Sequence, residues 1–447
     1  MQTIIRNALI VNEGDAFEGC LVIDGQRIAK VFSGKGAERE AKKYYEINHT
    51  DIDATGKIMI PGIIDDQVHF REPGQPRKGT MTQESRAALL GGVTSVMDMP
   101  NNIPPVITAE ALQEKYLLGT ANMFVNYGFY MGSSNTNMEE VMIQKEHSCG
   151  LKIFMGSSTG NMLVDDPIAL DTFFRKYPGV IATHCEEESI IRENLEKAIS
   201  RFGDDIPVIL HHTIRSREAC IASTRKALEL AIRHNTRLHI LHVTTIEEIE
   251  LIRKARRINP RISCEAALPH LIYTQADYIR YGTQIKCNPS IKTAKDRDAI
   301  LDALENRDIQ TVGSDHAPHT WDEKQNPYTK APSGIPLIQH FCQIMMEQVQ
   351  QNTLSVTSMA DACCHRPADL FNIKDRGFIR EGYYADLVLI NPAKEHRVTK
   401  SQLEYACCWS PLEGTTFSTS ISHVFVNGTL AAENGQIIQK PPVFPIL

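Results

Sequence analysis

The sequence contains no apolar stretch approaching the roughly 18 residues a membrane-spanning helix needs, so no spanning segment is expected. Its opening residues, Met-Gln-Thr-Ile-Ile-Arg-Asn, turn polar too early for the apolar core of a signal peptide. Charges of neither sign form a long run, and the net charge is -7 over 447 residues. That balance argues against nucleic acid or an anionic membrane as a partner. The eleven cysteines lack framework spacing. Cys363-Cys364 and Cys407-Cys408 are adjacent pairs, which rarely bridge each other. A reduced, cytoplasmic protein with buried thiols is the expectation. Internal repeats and low-complexity tracts are also missing. What remains is an ordinary globular composition, 42% hydrophobic and 23% charged. A chain of this length buries a large core without staples and holds one large domain plus an appendage, or two domains.

Both ends read as β structure. Ala8-Leu9-Ile10-Val11 and Cys20-Leu21-Val22-Ile23 are β-rich runs, with Asp24-Gly25 as a tight-turn pair. Near the other end, Asp386–Ile390 and His423–Val426 match them, with Asn427-Gly428 as a second turn. The middle alternates. Short apolar runs fall at Gly62–Val68, Thr94–Met97, Met123–Phe129, Leu151–Met155, Val180–Thr183, Leu238–Leu241, Ile262–Cys264 and Gln310–Val312, most followed by a helical pattern. Continuous apolar strands alternating with helices predict a parallel sheet buried on both faces. Eight such units suit a closed (β/α)8 TIM barrel. The expectation is therefore an α/β barrel over residues 59–365 and a small composite β-sandwich domain from residues 1–58 and 366–447, since neither end alone has enough strands. Thr245-Ile246-Glu247-Glu248 reads as a capping box, and Glu186–Arg201 and Ser216–His234 as long helices.

In such a barrel, chemistry sits at the C-terminal ends of the strands. Polar residues of ligand type stand there: His69, Asn101, His184, His242 and Asp315, with Lys152 inside the fourth strand. Three histidines, an aspartate and a lysine at one mouth match a metal site of nitrogen and oxygen donors, such as zinc. Any one histidine of the sixteen is unremarkable alone; agreement across strands carries the reading. His147, His211, His212, His234, His239, His340, His365 and His396 match no strand end and read as surface or core residues. A lysine in Leu-Lys-Ile-Phe-Met is expensive to bury as an ammonium. Burial lowers its pKa and makes the amine nucleophilic. Reaction with carbon dioxide would give a carbamate able to bridge two metals; the bland alternative is a lysine that snorkels or pairs with a carboxylate.

The segments Pro61-Gly62-Ile63-Ile64-Asp65 and Val68-His69-Phe70-Arg71-Glu72-Pro73-Gly74 resemble the first-strand signature of the amidohydrolase superfamily, in its dihydroorotase form. Asp98-Met99-Pro100-Asn101-Asn102, Lys286-Cys287-Asn288-Pro289, Gly313-Ser314-Asp315-His316-Ala317-Pro318-His319 and the tail Gly377 to Val388 extend that resemblance almost end to end. It implies zinc-dependent, reversible opening of the dihydroorotate ring to N-carbamoyl-aspartate, in pyrimidine biosynthesis. It further implies that His69 binds a buried metal, that Lys152 as its carbamate bridges two, and that His184 and His242 hold the more exposed one. Asp315 would be ligand and proton shuttle. Arg71, Asn101 and His319 would hold the substrate carboxylate, and Asn288 with the Ser333-Gly334 backbone would contact the ring. A small-molecule substrate is the implied partner, with a homodimer as a candidate assembly.

One position departs from the pattern. Such first strands end His-x-His, whereas here the run is Gln67-Val68-His69. A glutamine carbonyl is a weak ligand beside imidazole. Three readings stay open: weak ligation by Gln67, a single zinc instead of two, or an inactive homologue. Asp66 could compensate only if its strand bulges. Two rivals also stay open: a hydantoinase- or allantoinase-like enzyme, and a non-catalytic partner of aspartate transcarbamoylase. Asp322–Pro332 reads as a candidate mobile loop, and His270 as a structural group near the mouth.

Overall fold

The computed structural model describes residues 2–34, 36–44, 49–156 and 162–446. The N-terminal strands are β1 (Gln2–Asn12), β2 (Asp15–Asp24), β3 (Arg27–Ser33), β4 (His49–Asp53) and β5 (Ile58–Pro61). The barrel follows as β6 (Ile63–Val68), β7 (Val93–Asp98), β8 (Asn126–Phe129), β9 (Met131–Gly132), β10 (Leu151–Phe154), β11 (Val180–His184), β12 (Arg237–Ile240), β13 (Ser263–Ala267) and β14 (Thr311–Gly313). The C-terminal strands are β15 (Leu387–Asn391), β16 (His396–Arg397), β17 (Thr416–Phe417), β18 (Ser420–Val426), β19 (Thr429–Glu433) and β20 (Gln436–Ile437).

Each apolar run of the middle segment becomes a stave of the barrel. β6, β7 and β8 pair in parallel, and β9 through β14 pair in parallel in chain order. β8 and β9 are one stave interrupted at Tyr130, whose N–H turns to the Asp98 carbonyl at 3.1 Å. Between β14 and β6 the ring closes through Ser314 N–H to Asp65 Oδ1 (2.9 Å) and His69 N–H to the His316 carbonyl (2.8 Å). The staves are buried on both faces, which is why they read as unbroken apolar runs. Helices Glu188–Phe202 and Arg217–His234 form where the helical period is longest, and Thr245 closes its capping box on Glu248 at the start of Ile246–Arg256.

Strands from both termini join in one nine-stranded sheet, ordered β20-β19-β18-β15-β5-β1-β2-β3 with β4 on β1. The free edge of β3 bonds back to the segment before β15: Ile28 N–H to the Tyr383 carbonyl at 2.8 Å and Gly382 N–H to the Ile28 carbonyl at 2.7 Å. The curled sheet so encloses a core of its own, including Ile10, Leu21, Ile23, Leu387 and Phe425. The fold is thus the expected TIM barrel beside a β-sandwich built from both ends. The expected boundaries move, however. β5 pairs with β1 and β15, so the chain passes into the barrel at Gly62 rather than at residue 59. At the other boundary, helix Arg366–Leu370 and Phe371 stay with the barrel. Arg237, which opens β12, donates to the Leu370 carbonyl at 2.8 Å, and Phe371 packs edge-on against Tyr130 and His239. This segment plugs the end of the barrel opposite the strand tips.

Candidate active site

Where the strands end, the side chains converge on a cavity of about 390 Å³. His69, Arg71, Asn101, Lys152, His184, His242, Asn288, Asp315, His319, Ser333 and Gly334, separated by hundreds of residues in sequence, all line it, and so does Gln67. Three of them carry backbone strain. Arg71, His242 and Asp315 have φ of 65°, 39° and 46°, in the left-handed region that non-glycine residues rarely occupy. Such residues cluster where surrounding structure fixes a side chain for chemistry.

On one side, His184 Nδ1 faces His242 Nε2 at 3.1 Å. Two nitrogens on one tetrahedral zinc stand about 3.4 Å apart when each bond is about 2.0–2.1 Å. The pair therefore has the separation of two ligands of one ion. Burial holds both imidazoles below their ordinary pKa, leaving them neutral with lone pairs to give. The far nitrogen of His184 meets Glu186 Oε2 at 2.9 Å, and Arg215 pairs with the same oxygen. Burial raises the Glu186 pKa, but Arg215 and then His184 outweigh it and bring the carboxyl to about 2. A carboxylate behind a histidine fixes its tautomer and ring plane, as behind metal-bound imidazoles. Neither Glu186 nor Arg215 was expected from the sequence. Glu186 stands two residues past a strand-end histidine, which is a usable signal; Arg215 carries none.

On the other side, His69 Nε2 lies 3.3 Å from Asp315 Oδ1. His69 Nδ1 donates to Asn101 Oδ1 at 2.7 Å, which leaves Nε2 as the nitrogen turned to the cavity. Gln67 donates its amide N–H to Asp315 Oδ1 at 3.1 Å, and Gln67 Oε1 is buried without a partner. Lys152 lies between the two sides, 1% exposed. Burial lowers its pKa to about 8, against opposing pulls from Glu265 and Asp315. The donors around the cavity are nitrogen and oxygen only, and Gln67 Oε1 is buried without a partner. That set fits a zinc-type cation.

The third wall is cationic. Arg71 is buried, with Nε donating to the Pro318 carbonyl (3.1 Å) and Nη2 3.1 Å from His319 Nε2. Burial lowers the Arg71 pKa to about 10, so the guanidinium keeps its charge at neutral pH. The adjacent Glu72 turns elsewhere, its Oε2 accepting from Met81 N–H at 2.7 Å. Lys78, unforeseen in the sequence, reaches His319 Nδ1 at 3.2 Å and lines the same wall. Burial, then Arg71 and Lys78, hold His319 neutral. Asn101 has spent its oxygen on His69, so its NH₂ is what it offers the cavity.

Ser333 and Gly334 line the cavity, with the Gly334 N–H committed to the Lys286 carbonyl at 2.8 Å. One expectation needs correction. The segment expected to be a mobile loop is cross-linked from within. The Lys324 ammonium donates to the carbonyls of Lys286, Pro332 and Gly334, and the Lys286 ammonium to those of Tyr328 and Ala331. Prolines and polar residues suggested looseness, but buried lysines tie it down. His270 lies outside the cavity lining, with Nε2 on the Pro289 carbonyl at 3.0 Å.

Comparison with known proteins agrees with this geometry. The sequence pattern of the amidohydrolase family matches residues 58–431. The chain belongs to the amidohydrolase family and is a cyclic amidohydrolase. Within that class its relatives are dihydroorotases. The protein of that name from Methanosphaera stadtmanae is 28% identical, covering 94% of this chain and 96% of its own. That from Methanosarcina acetivorans is 30% identical over 87% and 85%. Among solved structures, an L-hydantoinase from Arthrobacter aurescens superposes with a TM-score of 0.92 at 26% identity, covering 99% of both chains. No helix among the described residues is long and apolar enough to cross a membrane.

Proposed function

We propose that this enzyme catalyses the reversible hydrolysis of the ring amide of (S)-dihydroorotate to N-carbamoyl-L-aspartate, the cyclising direction serving pyrimidine synthesis. The observation that carries the reading is the wall of the cavity formed by the buried Arg71 guanidinium, with neutral His319 and Lys78, itself paired with Glu323 at 3.0 Å, beside it. Dihydroorotate is a cyclic amide with a carboxylate; hydantoin, allantoin and dihydrouracil have none. A buried guanidinium presents a planar fork suited to that carboxylate, and the Asn101 NH₂ adds a donor. Asn288 Oδ1, buried without a partner, can accept from a ring N–H.

His69, Lys152, His184, His242 and Asp315 would hold zinc, one or two ions, and Lys152 would do so as its carbamate. When bound, zinc supplies an acidified water and polarises the amide carbonyl. Asp315 is the group positioned to move protons. It takes one from the attacking water as the new C–O bond forms, and returns it to the ring nitrogen as the C–N bond breaks. Gln67 donates to Asp315 Oδ1 and helps to orient the carboxylate. A second reading, a hydantoinase, is favoured by the Arthrobacter likeness alone.

Zinc-loaded protein should be given dihydroorotate, dihydrouracil and hydantoin, with products identified by mass. Ring opening of dihydroorotate well above the two uncharged rings supports the proposal. Preference for an uncharged ring makes it a hydantoinase, and no turnover of any ring with full zinc defeats it.

A further inference from the structure

Below the strand tips, wholly inside the barrel, lies a second cluster that the proposed chemistry does not use. Asp66, His239 and Glu265 are each 0% exposed, and one donor atom from each lies within 4.8 Å of the others. His239 Nε2 is 3.5 Å from Asp66 Oδ2 and 4.0 Å from Glu265 Oε2. Apart from their approach to each other, both oxygens of Asp66 and Oε2 of Glu265 have no hydrogen-bond partner. The other Glu265 oxygen accepts from the His242 backbone N–H at 3.1 Å. Asp66 arrives there because β6 slips register between Asp65 and Val68. The strand does bulge, but the bulge sends Asp66 inward to His239 and not up to the place a second first-strand histidine would fill.

Ser263 Oγ can donate to the Leu238 carbonyl at 3.3 Å and accept from His239 Nδ1, 2.8 Å away. In that arrangement a neutral His239 carries its proton on Nδ1 and points the Nε2 lone pair at two carboxylates. Among the described residues the Thr311 hydroxyl also approaches that nitrogen, at a long 3.4 Å. Two buried carboxylates and a lone pair, all turned to one point, are costly unless a cation stands between them. A proton shared by the two acids would leave the imidazole with only the Thr311 contact.

We propose that Asp66, His239 and Glu265 bind a divalent d-block cation inside the barrel, separate from the ions at the strand tips. A nitrogen donor with two carboxylates favours zinc or manganese over magnesium or calcium, which prefer oxygen throughout. Donors on one such ion stand about 3–3.5 Å apart, so the carboxylates have only to rotate inward slightly. The Ser263 contact is the kind that fixes the tautomer of a metal-binding histidine. The site does not depend on which cyclic amide the enzyme opens.

Crystals of the protein purified with zinc should be measured on both sides of the zinc absorption edge, and then the same with manganese. Metal per chain should be counted for wild type, Asp66→Asn and His239→Gln. The expected result is an anomalous peak among Asp66, His239 and Glu265, and a loss of roughly one metal equivalent in either variant while the strand-tip peak stays. Strand-tip peaks alone, or variants that keep the wild-type metal count, overturn the proposal and leave the two acids sharing a proton. If a variant fails to fold, the wild-type anomalous map decides the matter by itself.

Discussion

On one side of the barrel mouth, His184 and His242 face each other at 3.1 Å, with Glu186 and Arg215 behind. On the other, His69 and Asp315 stand beside Gln67, an amide where a second imidazole would be expected. The first side is assembled like a finished ligand pair with its supporting carboxylate. The second has one fewer strong donor and leans on Asp315 and Lys152. The contrast suggests that metal is held most firmly at the His184/His242 side, and that losses there and at Lys152 cost most.

Lys152 lines the cavity together with both sides, so Lys152→Ala should be the most damaging change. Turnover is expected to fall by roughly 10³-fold or more, about 4 kcal/mol of transition-state stabilisation, with zinc content falling alongside. Wild-type turnover with Lys152→Ala would show that the two sides do not communicate through it. Carbamylation gives a sign that can be checked. The free amine is the nucleophile, and its pKa is about 8. At a fixed concentration of dissolved CO2, reactivation of metal-free, carbonate-free enzyme by zinc should therefore speed up as pH rises towards 8 and level off above it. A rate falling over that range would exclude amine attack.

Arg71→Met should come next. Loss of a charge-assisted hydrogen bond of about 1.5–3 kcal/mol predicts a drop of roughly 10²-fold in kcat/KM for dihydroorotate. Dihydrouracil, having no carboxylate, should scarcely notice; equal losses on both would detach Arg71 from substrate binding. Glu186→Gln should weaken zinc binding by about 10–100-fold, the usual cost of losing the carboxylate behind a ligand histidine, as read by chelator competition. An unchanged zinc affinity would mean that Glu186 serves only Arg215. Gln67→His should have the smallest effect: tighter metal retention on the His69 side and a change in turnover of less than about tenfold. A rise of many orders would mean that the natural chain is crippled by Gln67.

Much of this was legible beforehand because barrel staves advertise themselves. Apolar runs at β6 to β14 follow from burial on both faces, and the strand-end rule then selected His69, Lys152, His184, His242 and Asp315 without knowledge of contacts. What stayed hidden depends on long-range meetings. Arg215 reaches Glu186 across 29 positions, and nothing in its neighbourhood announces the pair. Asp66 turns inward because of a bulge, which periodicity does not encode. His239, read as a core histidine, is one, yet it faces two carboxylates. The loop around Lys324 resembles a mobile segment in composition, and only the coordinates reveal three carbonyls around its ammonium.

The central claim is that strand-end imidazoles and oxygens hold the catalytic ion. X-ray absorption at the zinc edge of the loaded protein tests it most directly. The account predicts a shell of nitrogen and oxygen at about 2.0–2.1 Å with imidazole scattering, diminished when His184 and His242 are both changed to Asn. A sulfur shell at about 2.3 Å, or a spectrum indifferent to those two substitutions, would contradict it.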